Sequence, residues 1–239
     1  MIIAGIVAGG KGSRMGNSEL PKQFMEISQK PIIVHTIEKF LFYSEIDAVI
    51  VGINPEWSDY MYELKAQYFP NAENLFITDG GKDRNETILH IISSAKSVLD
   101  ASENDIIVTH DAVRPFVTEK MIFDNIKALE KYDVCTTAIG ATDTIVCSKD
   151  GSIVTDFPIR SNMFQEQTPQ TFRIGAFERV YNDMDDNEYK NITDACKLFY
   201  LSGYDVGIVD GDVSNIKITY PFDFKVAEAI MKHQEADIL

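Results

Sequence analysis

Apolar runs of strand length at residues 2–7, 48–53, 75–78, 106–109 and 134–139 alternate with segments of helical period over the first 140 residues. A run that is apolar on both faces suits a strand covered on both sides, as in a parallel sheet. Between the runs, the segment from Pro31 puts Ile33, Ile37, Phe40 and Leu41 on one helical face, and the segment from Asn85 does the same with Ile88, Ile91, Ile92, Ala95 and Leu99. Thr118 followed by Glu119 reads as the cap of a third helix carrying Ile122, Ile126 and Leu129. Strands that alternate with helices build right-handed βαβ units. The expected fold class is therefore α/β, a Rossmann-like, mostly parallel sheet with helices on both faces, and ligands of such sheets bind beyond the carboxyl ends of the strands.

The rhythm changes near residue 141. Residues 144–147, the turn Lys149-Asp150-Gly151-Ser152 and residues 153–156 read as a hairpin, which predicts a projecting β-arm over about 141–160. Beyond it the pattern predicts helices over 176–184 and 193–202, the second closed by Gly203, then strands at 206–209 and 216–219 and a helix opening at Pro221. The 239 residues, 45% hydrophobic and 25% charged, are expected to form a single domain, 1–239, with the arm as its appendage.

With 22 basic and 37 acidic residues the formal charge is 22 − 37 = −15. So acidic a chain repels a polyanionic backbone, which disfavours nucleic acid as a partner. Any small anionic substrate must then be held by a few well-placed cations. The three cysteines, Cys135, Cys147 and Cys196, are odd in number and form no close pair, which argues against a disulfide framework or a zinc site. The start of the chain lacks a basic leader, and no stretch approaches the roughly 18 apolar residues of a membrane span. A soluble, cytoplasmic protein with no membrane partner is expected.

The first strand runs into AGGKGSRMG, where Gly9, Gly10, Gly12 and Gly16 free the backbone to turn and aim N–H groups at an anion. The spacing fits neither GxxxxGK[ST] nor the dinucleotide fingerprint, since Met15 stands where a third glycine is required; a dinucleotide-dependent oxidoreductase remains only a distant alternative. Arg14 and, across a proline-marked turn, Lys22 put two cations near this loop, an arrangement suited to charge developing on a phosphorus centre. Asp111 ends a strand predicted to be central, where a carboxylate can reach a magnesium ion bridging nucleotide phosphates; the alternative is a salt bridge to Arg114, itself read as structural. His110 is expected to be packed rather than catalytic.

GGKGSRMG, LPKQF, GGKDRNETI, THDAVRPF, QTPQTF and NIKIT occur in order across nearly the whole chain. Together they resemble the cytidylyltransferases that activate polyol phosphates, above all the ribitol-5-phosphate cytidylyltransferase family and, next, its sister 2-C-methyl-D-erythritol 4-phosphate cytidylyltransferase family. The resemblance implies that Ala8, Gly9, Gly10 and Lys11 line the nucleotide, with Arg14 and Lys22 neutralising its α-phosphate. It implies that the loop holding Gly80, Gly81, Asp83, Arg84 and Thr87 contacts cytosine and ribose, largely through backbone groups. It further implies that Asp111 holds Mg2+, that Arg160 and Lys217 hold the acceptor phosphate, and that a homodimer formed through the β-arm lets Arg160 serve a neighbouring site.

The stretch NITDACK, with Thr193, Asp194, Ala195 and Lys197, is closer to the ribitol branch. Glu166 stands where that resemblance leads one to expect glycine, and Tyr220 where a small residue is usual. The implied reaction is in-line displacement at the α-phosphorus of CTP by D-ribitol 5-phosphate, giving CDP-ribitol and pyrophosphate without a covalent enzyme intermediate. Methylerythritol phosphate is the alternative acceptor, and a dehydrogenase supplying ribitol 5-phosphate is a conceivable partner.

Overall fold

The computed structural model describes residues 1–10, 20–184, 192 and 194–236. Strands β1 (Ile2–Ala8), β4 (Ala48–Ile53), β5 (Leu75–Asp79), β6 (Ile106–Asp111), β7 (Val134–Gly140), β8 (Phe164–Arg173) and β9 (Val206–Asp210) form one sheet in the order β5-β4-β1-β6-β8-β7-β9. A two-residue-per-strand hairpin, β2 (Glu26–Ile27) with β3 (Lys30–Pro31), stands apart from it. The neighbours β5, β4, β1 and β6 are parallel, as are β7 and β9, whereas β8 runs antiparallel to both β6 and β7. The expected mostly parallel α/β sheet is thus the observed one.

Side chains along the strands divide between the two faces, as the two-residue period of a strand requires. Ala4 and Ile6 of β1 and Val49, Val51 and Ile53 of β4 pack with helices α1 (Ile32–Leu41), α2 (Ser58–Tyr68) and α4 (Glu119–Ala128). Ile3, Ile50 and Ile107 face the other way, onto α3 (Arg84–Leu99), α5 (Ile174–Asp183) and α6 (Ala195–Leu201). Helix α7 (Pro221–Ala236) closes a third cluster through Ala227 and Met231, packed with Ile32, Phe116 and Ile218. Among the described residues no helix is long and apolar enough to cross a membrane.

Three elements differ from the sequence expectation. Residues 216–219, expected as a strand, are extended but join no ladder; Ile218 N–H donates to Val113 O at 3.0 Å, and burial of Ile218 accounts for the apolar alternation. The arm carries the expected turn at Gly151, with φ +77°, but its hairpin is reduced to a single bridge between Cys147 and Asp156. Strand β8 carries Pro169, which cannot donate to a ladder, inside a polar run, so neither propensity nor alternation marks it as a strand. It survives because its pairing with β7 skips that stretch: Gln170 faces Thr136 and Glu166 faces Ala138, leaving residues 167–169 out of the register.

Candidate active site

Beyond the carboxyl ends of β1, β4 and β6 lies a cavity of about 570 Å³, a volume typical of small-ligand sites. One wall is the end of β1. Gln23, almost fully buried, donates from Nε2 to Ala8 O at 3.0 Å and to Gly10 O at 3.4 Å, so the turn leaving the strand is held by a side chain from the segment that also carries Lys22. Ala8, Gly9, Gly10 and Lys22 all line the cavity, while Lys11 and Arg14 lie outside the described residues.

The opposite wall is the turn from β5 into α3. Asp83 caps α3 by accepting from Glu86 N–H at 2.9 Å. The Thr87 hydroxyl donates to Asp83 O at 2.7 Å and accepts from Gly81 N–H at 3.0 Å, which folds the loop back on its own helix. A Cβ at Gly81 would stand 2.8 Å from the backbone carbonyl carbon of Glu86, so only glycine fits this close approach. Gly81, Asp83, Arg84 and Thr87 line the cavity; Gly80 lies just behind, its N–H donating to Ile53 O at 2.6 Å. Asp83 and Thr87 hold the loop together through their side chains, leaving backbone groups and the Arg84 guanidinium to face a ligand.

At the back, Asp111 ends β6 with its carboxylate ringed by cations. Lys217 Nζ is 2.9 Å from Oδ2, Arg84 Nε 3.5 Å from Oδ1 and Arg114 Nε 3.7 Å from Oδ2. Burial alone would raise the pKa of this carboxyl, but the pull of Arg84, Lys217 and Arg114 outweighs it and holds the group far below the usual carboxylate range. The Asp111–Arg114 pair, the alternative to a metal role, is thus one spoke of a larger network, and the metal role expected for Asp111 must be reconciled with three cations already on it. Its backbone N–H donates to Thr168 Oγ1 at 3.2 Å, the Thr168 hydroxyl donates to His110 Nδ1 at 2.9 Å, and His110 Nε2–H donates to Arg114 O at 3.0 Å. That chain fixes one neutral tautomer of a fully buried imidazole, whose pKa desolvation lowers to about 4. His110 is packed, as expected, and has no path to a reacting atom.

The residues that β8 leaves unpaired build this wall. Gln167 Nε2 donates to Asp212 O at 2.8 Å, and buried Asn215 donates from Nδ2 to Thr168 O at 2.8 Å. Arg114 Nη1 donates to Asn215 O at 2.7 Å. Together they fasten the segment 212–218 and carry Lys217 onto Asp111. Lysines 22, 82 and 217 and Arg84 thus oppose Asp83 and Asp111 around the cavity, a local excess of positive charge in a chain of formal charge −15. Arg160 does not join them within one chain: it stands exposed in a 3-10 turn at the foot of the arm, donating to Thr142 O at 3.2 Å. Gln23, Lys82, Thr168 and Asn215, which line the cavity or hold its back wall, fall inside LPKQF, GGKDRNETI, QTPQTF and NIKIT without being singled out by them, and Asn54 lies outside every motif.

Residues 2–233 match the sequence model of the family described as IspD: 2-C-methyl-D-erythritol 4-phosphate cytidylyltransferase. The fold is similar to that of 4-diphosphocytidyl-2C-methyl-D-erythritol synthase from Anaerococcus prevotii, at 27% identity and a TM-score of 0.78 over 97% of this chain and 98% of that one. A second solved 4-diphosphocytidyl-2C-methyl-D-erythritol synthase is 25% identical, with a TM-score of 0.78 over 96% and 98% of the two chains. The 2-C-methyl-D-erythritol 4-phosphate cytidylyltransferase of Francisella tularensis, at 23% identity, a TM-score of 0.77 and coverage of 95% and 97%, shares the fold.

Proposed function

The chain belongs to the 2-C-methyl-D-erythritol 4-phosphate cytidylyltransferase family and is a nucleotidyltransferase, and from that premise we propose that it transfers a cytidylyl group from CTP to a short polyol phosphate, releasing pyrophosphate. The observation that carries the reading is the cation-rich cavity at the strand ends, with Lys22 on one wall and the Asp111–Lys217 pair on the other. Family membership and the solved relatives favour 2-C-methyl-D-erythritol 4-phosphate as acceptor over the D-ribitol 5-phosphate expected from NITDACK. Ribitol phosphate remains the second reading, on the likeness of NITDACK to the ribitol branch.

In this reading the triphosphate enters along the β1 turn and the Gly81 loop, and a phosphate oxygen of the acceptor attacks the α-phosphorus in line as the bond to pyrophosphate breaks. Lys22, and Arg14 on sequence grounds, neutralise charge on the α-phosphate; Lys217 holds the acceptor phosphate. A phosphate monoester is already a nucleophile at neutral pH, so no general base is needed, in keeping with His110 being sealed in the core. Mg2+ binds largely through phosphates and water with one or two carboxylates, and the single Asp111 carboxylate meets that requirement if Lys217 yields Oδ2 and turns to the acceptor. When bound, the ion would supply charge neutralisation across the phosphates.

Arg160 reaches an active site only from a second copy of the chain. The arm exposes Val146, Ile153, Val154, Phe157 and Ile159, an apolar surface that a homodimer would cover. The decisive experiment is pyrophosphate release with CTP and magnesium, run side by side with methylerythritol phosphate and ribitol phosphate. Release with neither acceptor refutes the reading.

A further inference from the structure

The turn that leaves β1 and the segment that carries Lys22 are apart in sequence but meet at one side chain. Gln23, 2% exposed, donates from its amide nitrogen to two carbonyl oxygens, that of Ala8 at 3.0 Å and that of Gly10 at 3.4 Å. Carbonyls can only accept, so the orientation of the amide is settled. A trans peptide sets each carbonyl opposite the N–H that follows it. With two carbonyls turned to Gln23, the turn offers donors rather than acceptors on its other side, which is the polarity an anion requires.

The same residue is held from behind. It is the middle of the 3-10 turn Lys22–Phe24, whose Phe24 is 1% exposed and packs on Trp57 and Tyr60, with ring centroids 5.5 and 4.9 Å away. Phe24 N–H donates to Pro21 O at 2.9 Å and Met25 N–H to Lys22 O at 3.2 Å, which closes the turn on itself. Lys22 thus follows a proline, precedes the clasp and is anchored two residues on by a core aromatic. Its backbone is kept at a set distance from the β1 turn, and its side chain is what remains to adjust to a ligand. Without the amide, the two would be positioned by separate parts of the core, and small displacements of a charge from a reacting phosphorus are costly.

We propose that Gln23 is a positioning residue for the transfer: it ties the phosphate-binding turn of β1 to the segment of Lys22, so that the backbone holding the triphosphate and the cation neutralising it act as one rigid unit. The proposal rests on the cytidylyl-transfer reading and gives the amide no contact with a reacting atom. Loss of the clasp frees two carbonyls to turn toward the triphosphate and lets Lys22 shift from the α-phosphorus. Nucleotide affinity and turnover then fall together, while the acceptor side at Asp111 and Lys217 is untouched.

Gln23→Met keeps the length of the side chain and removes the donor; Gln23→Glu keeps its shape and, when ionised, sets a carboxylate against two carbonyls. The test is pyrophosphate release with methylerythritol phosphate and with ribitol 5-phosphate, varying CTP and acceptor separately, beside calorimetric titration of each protein with magnesium and CTP in the absence of acceptor. For Gln23→Met the dissociation constant and KM for CTP should each rise about tenfold and kcat fall about tenfold, with KM for the acceptor within about twofold of wild type. In Gln23→Glu burial raises the pKa of the new carboxyl, whose protonated form donates one hydrogen to a carbonyl. Its kcat/KM for CTP relative to wild type should therefore recover several-fold between about pH 8.5 and about pH 6, whereas the Gln23→Met ratio stays flat. Wild-type affinity for CTP in Gln23→Met overturns the proposal. So does a loss of kcat with both KM values unchanged and a lowered melting temperature, or a ratio equally flat with pH in both variants. If Gln23→Met does not fold, the pH-dependent recovery of Gln23→Glu decides alone. No release by wild type with either acceptor overturns cytidylyl transfer, while the titrations with CTP still decide the clasp, and the two failures are thereby told apart.

Discussion

Asp111→Asn keeps the size of the side chain and removes its charge, so it isolates what one carboxylate does among three cations. With an effective dielectric constant near 20, contacts at 2.9, 3.5 and 3.7 Å are each worth about 5 kcal/mol of gross attraction. Most of that offsets the desolvation of the ions. Removing one partner of a buried pair nonetheless costs about 3–5 kcal/mol, because the other charge is left behind. Arg84 and Arg114, whose side chains are 16% and 10% exposed, supply most of this cost. Lys217, 46% exposed, is screened and contributes at most about 1 kcal/mol. For a chain of this length the expected fall in melting temperature is on the order of 10 °C in Asp111→Asn. In Lys217→Met it is within a few degrees, although both variants lose pyrophosphate release. Scanning calorimetry at pH 7 and low salt reads the difference, and millimolar pyrophosphate should recover more of the Asp111→Asn deficit than it adds to wild type. The sign with pH follows from the depressed folded-state pKa: the carboxylate stabilises the fold above its unfolded value of about 3.9 and loses that contribution as pH falls below it. The gap between wild type and Asp111→Asn should therefore hold steady down to about pH 5 and narrow below about pH 4. Equal melting of Asp111→Asn and wild type, or an equal drop in Lys217→Met, would refute the argument that this carboxylate is the counter-charge of the site.

Three further outcomes are expected. Thr168→Val strands the Asp111 N–H and His110 Nδ1, both buried, and should cost about 2–4 kcal/mol by urea denaturation; a loss below about 0.5 kcal/mol would mean the relay is slack. His110, with a folded pKa near 4 against 6.5, binds its proton more readily in the unfolded chain, so its share of stability is full above pH 6.5 and is lost on going down to pH 4, by about 2.5 × 1.36 ≈ 3 kcal/mol. From pH 6.5 down to pH 4 the urea midpoint of wild type should fall relative to that of His110→Asn, which lacks this titration. Gly81→Ala forces the loop away from Glu86 and should raise KM for CTP several-fold with a stability cost of about 1–3 kcal/mol, measurable in one kinetic series and one melt.

The parallel half of the molecule was legible because its strands are buried on both faces and its helices carry stripes: residues 2–8, 48–53 and 106–108 are apolar for the reason that they lie in the middle of the sheet. Helix α2 escaped notice because only Met61 and Leu64 of its eleven residues are buried, too few to print a period on the sequence. Strand β8 escaped because its polar side chains are spent on the site rather than on a core face. Individual site residues were legible where a motif isolates them, as with Asp111 and Lys217. Their assembly was not, since Arg84, Asp111, Arg114 and Lys217 meet only after β6 is threaded between β1 and β8 and the chain past β9 is tied back by Asn215.

The arm leaves and rejoins the sheet at a single rung, where Gly140 pairs with Phe164 and Ala141 N–H meets Met163 O at 2.9 Å. Everything between those points is an excursion that the core does not measure. Because closure entropy grows only with the logarithm of length, the fold of one chain tolerates a longer or shorter excursion while both anchoring strands stay in register, and what constrains the arm is Arg160 and the apolar surface it would bring to a second copy. Surface variety among chains of this architecture can thus accumulate at one place without disturbing the wall that holds Asp111.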